Sequence, residues 1–345
     1  MRHLWENRAV AKNRGQHRSR PFPFSPTFGG RLFFSLLTVL VLTVAFTGHA
    51  LESKLSLSVP DQAVQGTPFR VSLDITGGNA QEVRFYLLDP DGSEHSSVPA
   101  AAFHTDTGDT VWANVLAASP VAEPGDWRVR ARVHFDDYST QLDRPLTLGR
   151  GEFASMTIAL NRELTSLITD PDPRRSEERR ELNRLLSSSE PGAVYNPGTF
   201  VTPVVDPNRT SAEFGDRRIY EYHGGSESRS VHNGVDYAAP TGTETLAGAH
   251  GVVRLAADRL VSGRSVVIEH MPGVFSVYYH LDSIAVDEGD FVMAKEPIGR
   301  IGASGLATGA HLHWEVRIGG VSVDPEWFLS NAAVDTRGLL NTLAP

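Results

Sequence analysis

Apolar and polar residues alternate in short segments across residues 51–151. Alternation with a period of two is typical of strands that bury one face. The alternating segments are separated by turns that contain Gly or Pro, and they lie at residues 55–59, 69–75, 83–88, 110–115, 127–133 and 140–148. Their spacing of roughly ten residues predicts an all-β sandwich of the immunoglobulin type for residues 51–151.

Residues 201–330 show a second pattern, in which short runs of β-branched residues are separated by glycines and helical periodicity is almost absent. This pattern predicts an antiparallel sheet. The chain is therefore expected to be all-β, with two β units and a C-terminal tail at residues 331–345. Its 345 residues are enough for two domains of ordinary size.

The segment between the two β units, residues 152–200, differs in composition. Glu and Arg recur at spacings of three and four over residues 174–186, which favours a short helix. Leu182, Leu185 and Leu186 give this helix one apolar side. We interpret it as a solvated linker helix. The alternative is a segment that lies over the following unit and gates its cleft.

The first fifty residues have the pattern of an export segment. Residues 1–31 carry seven basic residues and one acidic residue, whereas residues 32–47 carry no charge. A basic flank before an apolar run stays in the cytoplasm, so the rest of the chain faces outward. Gly48 and Ala50 fit a cleavage site, whereas the long flank favours an uncleaved inner-membrane anchor. Both alternatives predict a protein of the periplasm or cell envelope.

Charge and cysteine content narrow the function classes. The chain has 32 Lys+Arg and 41 Asp+Glu, and beyond residue 31 it has 25 basic and 40 acidic residues. This acidity argues against a nucleic-acid partner. The sequence has no cysteine, which excludes disulfides, a thiol nucleophile and cysteine-ligated metals. Any metal must therefore be held by His, Asp or Glu.

Seven of the 13 histidines lie between positions 223 and 313. His232 and Asp236, four apart in extended chain, share a face, and Gly234 leaves space between them. Together with His313 they form the kind of three-ligand set that leaves a fourth zinc position for water. Nitrogen and oxygen ligands suit zinc, and by ligand type manganese or cobalt also stays open.

Two further histidines are expected near this metal. His311 lies two residues before His313 in a predicted strand, so both project from one face. His280 and His311 are then free to handle protons. Glu315, two residues beyond His313, faces the same side and is either a plain strand carboxylate or a group that orients a ligand imidazole.

Taken together, these motifs resemble the lysostaphin/LytM-type zinc metalloendopeptidases of bacterial peptidoglycan. The resemblance covers roughly residues 201–329 and rests on HNGVD at 232–236, PTGT at 240–243, YHL at 279–281, GASG at 302–305 and HLH at 311–313. It implies a twisted antiparallel sheet with a groove, and one zinc ion per catalytic domain, held by His232, Asp236 and His313. It also implies that His280 and His311 assist catalysis.

Because all five positions are filled, the resemblance implies a working endopeptidase that cuts peptide bonds in peptidoglycan stems or cross-links, with a zinc-activated water as nucleophile. Relatives that have lost these residues act only as activators, so the alternative is a non-hydrolytic module that binds the wall or activates an amidase. A third reading is a protease acting on other extracellular proteins. The β-sandwich shows no catalytic constellation and is expected to be a spacer, or to dock an envelope protein.

Overall fold

The structure is a computed structural model, and it describes residues 40–43, 53–105, 109–190, 192–205 and 209–336. The strands of the first half are β1 Leu40–Thr43, β2 Lys54–Ser58, β3 Gln62–Val64, β4 Phe69–Thr76, β5 Glu82–Leu88, β6 Glu94–Pro99, β7 Ala101–His104, β8 Thr110–Leu116, β9 Gly125–His134, β10 Ser139–Gly149 and β11 Ser155–Ala159. The helices are α1 Arg162–Thr169, α2 Pro173–Ser187 and α3 Trp327–Ser330. The strands of the second half are β12 Arg209–Ala212, β13 Arg217–Glu221, β14 Glu227–Val231, β15 Val235–Ala238, β16 Glu244–Leu246, β17 Gly251–Arg259, β18 Gly263–Met271, β19 Val274–Ile284, β20 Phe291–Val292, β21 Pro297–Ile301, β22 His311–Ile318 and β23 Val321–Val323.

Strands β1 to β10 form two five-stranded sheets, in the orders β1-β2-β4-β8-β7 and β3-β10-β9-β5-β6. The orders β2-β4-β8-β7 and β10-β9-β5 correspond to ABED and GFC of the immunoglobulin fold. Alternate residues of strands such as β4 and β9 are buried, because the two inner faces pack against each other. The predicted immunoglobulin-like sandwich is confirmed.

The second β unit is a ten-stranded sheet whose main path is β12-β15-β22-β19-β18-β17-β20. Neighbouring strands along this path are antiparallel. The central strands β18 and β19 are buried on both faces over most of their length. One face of the sheet therefore packs into the hydrophobic core, and a second set of residues covers the opposite face of the sheet.

The segment that the sequence assigned to a linker is built into the second unit. Strand β11 pairs in parallel with β13, which forms an antiparallel hairpin with β14. Helix α1 follows β11 in the chain. It is capped by the Asn161 side chain, which accepts a hydrogen bond from Leu164 N. Helix α2 begins with Asp172 as cap and Pro173 in its first turn, and it confirms the predicted short helix.

The two β units contact each other through buried backbone and side-chain groups. Asn114 Nδ2 in the sandwich donates to Pro272 O at 2.9 Å, and Asp324 N donates to Gly66 O at 2.8 Å. One continuous hydrophobic cluster includes residues of both units. The cluster also includes Ala333 and Val334, so the chain stays packed for several residues beyond the predicted end of the second unit at residue 330.

The predicted export segment falls almost wholly outside the described residues. Of the apolar run at residues 32–47, the structure describes only β1, which pairs with β2 at the edge of the sandwich. Among the residues that are described, none of the helices is long and apolar enough to cross a membrane. The choice between cleaved signal and retained anchor stays a prediction.

Candidate metal centre

Two neighbouring strands bring three candidate ligands to one point. Asp236 on β15 pairs directly with His313 on β22, and His232 lies in the turn just before β15. Asp236 Oδ1 is 3.0 Å from His232 Nε2 and 2.7 Å from His313 Nδ1, and the two nitrogens are 3.0 Å apart. Ligand atoms of a tetrahedral zinc lie roughly 3.3 Å apart, so a small outward adjustment would accommodate the ion. The sequence-predicted ligand set does converge on one point.

Gly234 makes the close approach of these segments feasible. A Cβ atom at this position would lie 2.2 Å from the carbonyl oxygen of Trp314 on β22. The sequence predicts that Gly234 leaves room between His232 and Asp236, and the structure shows that the room is taken by the backbone of the partner strand. Any larger residue would push β15 away from His313.

Each of the two ligand imidazoles has a second hydrogen-bond partner, which directs the free nitrogen of its ring toward Asp236. His232 Nδ1 is 2.6 Å from the carbonyl oxygen of Glu213, to which it can only donate, so its Nε2 carries a lone pair when the ring is neutral. His313 Nε2 is 2.9 Å from Glu315 Oε1, which places the lone pair of the neutral ring on Nδ1. Two nitrogen lone pairs and a carboxylate oxygen then face one another, which is the donor set of a cation site.

Protonation of the site shows how strongly this point attracts positive charge. Burial raises the pKa of Asp236, but the contacts with the imidazoles of His232 and His313 outweigh burial and hold this pKa well below its usual range. Burial lowers the pKa of His313, yet hydrogen bonds to Asp236 and Glu315 raise it to about 9. A metal cation bound here would replace that proton.

His280 reaches the site through a bulge in β19. The pairing of β18 with β19 shifts register between residues 264 and 266, and His280 has a φ of 63°, in the left-handed region. Tyr279 pairs with His313 and stacks on its ring, with centroids 5.5 Å apart. In a regular strand His280 would face away from Tyr279, but the bulge turns its ring to within 6.1 Å of the His313 ring.

His311 completes the group of five. Its ring centroid is 4.8 Å from that of His280, and its Nε2 is 3.7 Å from Asp236 Oδ1. Both rings donate from Nδ1 to a backbone carbonyl, His280 to Ser304 O and His311 to Gly309 O. Each therefore presents an unprotonated Nε2. Burial, with smaller effects of His311 and His313, lowers the pKa of His280 to about 3, so this ring stays neutral at neutral pH.

Two charged partners of the ligands were not among the residues predicted from the sequence. Arg218 on β13 places a guanidinium nitrogen 2.6 Å from Asp236 Oδ2. Arg317 lies 2.7 Å from Glu315 Oε2, behind His313. The alternation of positions 313, 315 and 317 along β22 would have located Arg317, whereas the sequence holds no signal for Arg218, because it meets Asp236 from another sheet.

Other residues of the histidine-rich stretch lie away from the ligands. His270 is fully buried, and its imidazole is 2.7 Å from both His250 O and Ser276 Oγ. His270 lies within β18. His223 is exposed beside α1, where its backbone nitrogen donates to Thr165 Oγ1.

Helix α2 lies on the face of the sheet that carries the metal ligands. Its residues Leu182, Leu185 and Leu186 pack against Leu255, Val267, Phe275, Val277 and Tyr279. Tyr279 pairs with His313 and Val277 with Glu315, so these side chains share the ligands' face. Glu178 also accepts a hydrogen bond from Leu260 N at 2.9 Å. The helix is therefore not a solvated linker, and the alternative, that it gates a cleft, stays a prediction.

The part of the chain that carries this site matches a known protein family. The model of peptidase family M23 matches residues 230–325, a range that contains all five predicted site residues. A solved structure described as a peptidase M23 from Pseudomonas aeruginosa matches 79% of this chain and 96% of its own, with a TM-score of 0.55 and 23% identity. At that identity the likeness shows the fold, and it extends over both β units.

Curated relatives match over the same part of the chain. DD-carboxypeptidase/endopeptidase Mpg of Neisseria meningitidis serogroup B is 40% identical over 117 residues, which is 34% of this chain and 26% of Mpg. Peptidoglycan DD-endopeptidase ShyC of Vibrio cholerae serotype O1 is 33% identical over 126 residues, 36% of this chain and 28% of ShyC. The chain thus matches only about a quarter of the length of these relatives. Residues 230–325 of the chain thus match peptidase family M23.

Proposed function

We propose that this protein is a zinc-dependent endopeptidase that hydrolyses peptide bonds in the stems or cross-links of bacterial peptidoglycan. The observation that carries the proposal is the convergence of three ligand atoms from His232, Asp236 and His313 beside the free Nε2 atoms of two further imidazoles. A non-catalytic module has no need for those two imidazoles, whereas a hydrolase requires groups that accept and return protons.

The residues present fit zinc by donor type and spacing. Two imidazoles and one carboxylate are a common catalytic zinc set that leaves a position for water or substrate. When bound, the ion supplies a Lewis acid for the scissile carbonyl and a water of lowered pKa. Glu315 and Glu213 O orient the imidazoles, so the direction of both rings is set before the ion arrives.

We assign proton transfer to His311 because of its position and exposure. Its Nε2 is 3.7 Å from the shared ligand atom Asp236 Oδ1, and its side chain is 16% exposed, which leaves access for substrate. The Nδ1 hydrogen bond to Gly309 O fixes the ring so that Nε2 can accept a proton and later return it to the leaving amine. His280, more deeply buried, is placed to hold a hydrogen bond beside it.

Peptidoglycan as substrate is supported by relatives such as ShyC, which is named a peptidoglycan DD-endopeptidase. An envelope location is supported by the basic flank and apolar run of residues 1–47, because peptidoglycan lies outside the cytoplasm. The β-sandwich is proposed to dock a partner in the same compartment or to act as a spacer.

Digestion of purified sacculi by the full chain tests this function. We expect the zinc-loaded protein to release soluble peptide-containing fragments, and a chelator to abolish the release until zinc is restored. His313→Ala should bind no zinc and release nothing, while His104→Ala, an exposed position in the sandwich, should match the wild type. Stoichiometric zinc without any sacculus cleavage would contradict the enzyme and leave the non-hydrolytic alternative.

A further inference from the structure

We infer that Arg218 is a positioning residue, which holds Asp236 so that only one carboxylate oxygen, Oδ1, binds the metal. This inference rests on the proposed zinc site. The two carboxylate oxygens of Asp236 have separate partners. Oδ1 faces His232 and His313, while Oδ2 is 2.6 Å from the Arg218 guanidinium. The side chains of Arg218 and Asp236 are 12% and 9% exposed, so water does not compete freely for Oδ2.

The backbone holds Arg218 in place from both sides. Residue 218 pairs with Met156 of β11 on one side and with Ser230 of β14 on the other. The side chain of Tyr220, two residues further along the same strand, lies beside the guanidinium. A planar guanidinium fixed at its base and its head has a defined direction, which a flexible ammonium lacks. The contact with Asp236 is thus a built feature of the three-stranded sheet.

Occupation of Oδ2 matters because a carboxylate can bind a metal through one oxygen or through two. A second bound oxygen would use the coordination position that a catalytic metal keeps open for water and substrate. Arg218 prevents this by holding Oδ2 with a charge-assisted hydrogen bond. The strand β11 that supports Arg218 comes from the segment before α1, so residues outside the matched range 230–325 take part in shaping the site.

Loss of the Arg218 charge and loss of its hold on the Asp236 carboxylate predict different effects on the bound metal, which makes the inference testable. Removal of a positive charge beside a divalent cation does not weaken binding of that cation by Coulomb's law. We therefore expect Arg218→Met to retain one metal ion per chain while the coordination of that ion changes. Activity should fall about 10- to 100-fold, the usual range for groups that orient metal ligands.

Cobalt spectroscopy of the full chain tests the inference without any substrate. Wild type, Arg218→Met, Arg218→Lys and Arg229→Met are each loaded with one equivalent of Co²⁺, and their visible d–d absorption is recorded. Arg229 is exposed on the neighbouring strand β14, which makes it the matched control. We expect Arg218→Met to bind one Co²⁺ with weaker, shifted absorption, because added ligands reduce d–d intensity. Arg218→Lys should lie between Arg218→Met and wild type, and Arg229→Met should match wild type.

Spectra of both Arg218 variants that superimpose on the wild-type spectrum would overturn the inference, and so would an Arg218→Met protein that is folded by far-UV circular dichroism but binds no Co²⁺. If Arg218→Met does not fold, Arg218→Lys decides by the same criterion, because a single ammonium does not fix the carboxylate. Failure of the proposed function would look different: the wild type would hold metal with an open coordination position and still leave sacculi intact.

Discussion

At the scale of single residues, metal binding and proton transfer are assigned to different imidazoles. His280 and His311 present free Nε2 atoms but are not part of the convergent ligand set. His311→Ala should therefore bind one zinc ion as the wild type does, while its rate of sacculus cleavage falls by about 10²- to 10⁴-fold. Zinc content by mass spectrometry, measured beside the rate, checks this. Loss of zinc from His311→Ala would show that the ligand assignment is wrong.

A second residue prediction concerns His270, whose ring lies on the far side from the metal ligands. Burial lowers the pKa of His270 from 6.5 to about 4. The unfolded chain therefore binds this proton more readily than the folded one, so stability falls as the pH drops from about 6.5 toward 4. At about 1.4 kcal/mol per pH unit, His270 alone should cost roughly 2 kcal/mol between pH 6.5 and 5.

Urea unfolding at pH 7 and pH 5 checks the His270 prediction. His270→Asn should lose less stability on acidification than the wild type, whereas His104→Asn, an exposed imidazole, should behave like the wild type. An equal loss in the wild type and in His270→Asn would rule out His270 as the source of the pH dependence.

The period of two along an extended chain could predict that His311 lies with His313 and that His232 lies with Asp236. It could not show how His280 joins them. The same period predicts that His280 faces away from Tyr279, and only the left-handed bulge in β19 reverses this. Arg218 was beyond sequence reasoning for a related reason, because the meeting of β13 with β15 depends on tertiary packing.

At the scale of elements, α2 leads to a prediction about access to the groove. Its three leucines cover an apolar strip on the ligands' face of the sheet. If the helix gates the groove, Leu186→Asp should release it and raise the rate of sacculus cleavage, because a buried charge at this 1% exposed position is strongly unfavourable. Release is read from faster trypsin cleavage at the arginines of α2.

Asn183→Asp is the matched control, since it places the same charge on the exposed side of α2. It should leave both the trypsin cleavage and the rate unchanged. A Leu186→Asp protein whose helix is cut faster but whose rate is unchanged or lower would show that α2 only stabilises the sheet. The charge pattern of residues 174–186 could predict the helix but not its site of docking, because three leucines fit any apolar surface.

At the scale of the whole molecule, the two β units are expected to unfold together. Asn114 is fully buried in the sandwich, and its Nδ2 donates to Pro99 O and across to Pro272 O of the second unit at 2.9 Å. A cluster of buried apolar residues continues through both units. A shared core and satisfied buried polar groups couple the units, so calorimetry should show one transition with equal calorimetric and van't Hoff enthalpies. Two resolved transitions would instead mean independent domains.

Asn114→Ala tests that coupling. The substitution leaves buried carbonyl groups on both units without their donor, at a cost on the order of 2 kcal/mol. Because one of these carbonyls belongs to Pro272, we expect the variant to lose stability and its single calorimetric transition to broaden or split. Asn79→Ala, an exposed Asn in the sandwich, should keep both the midpoint and the shape of the transition. A lowered midpoint with an unchanged two-state shape would show that other contacts, such as Asp324 N to Gly66 O, suffice to couple the units.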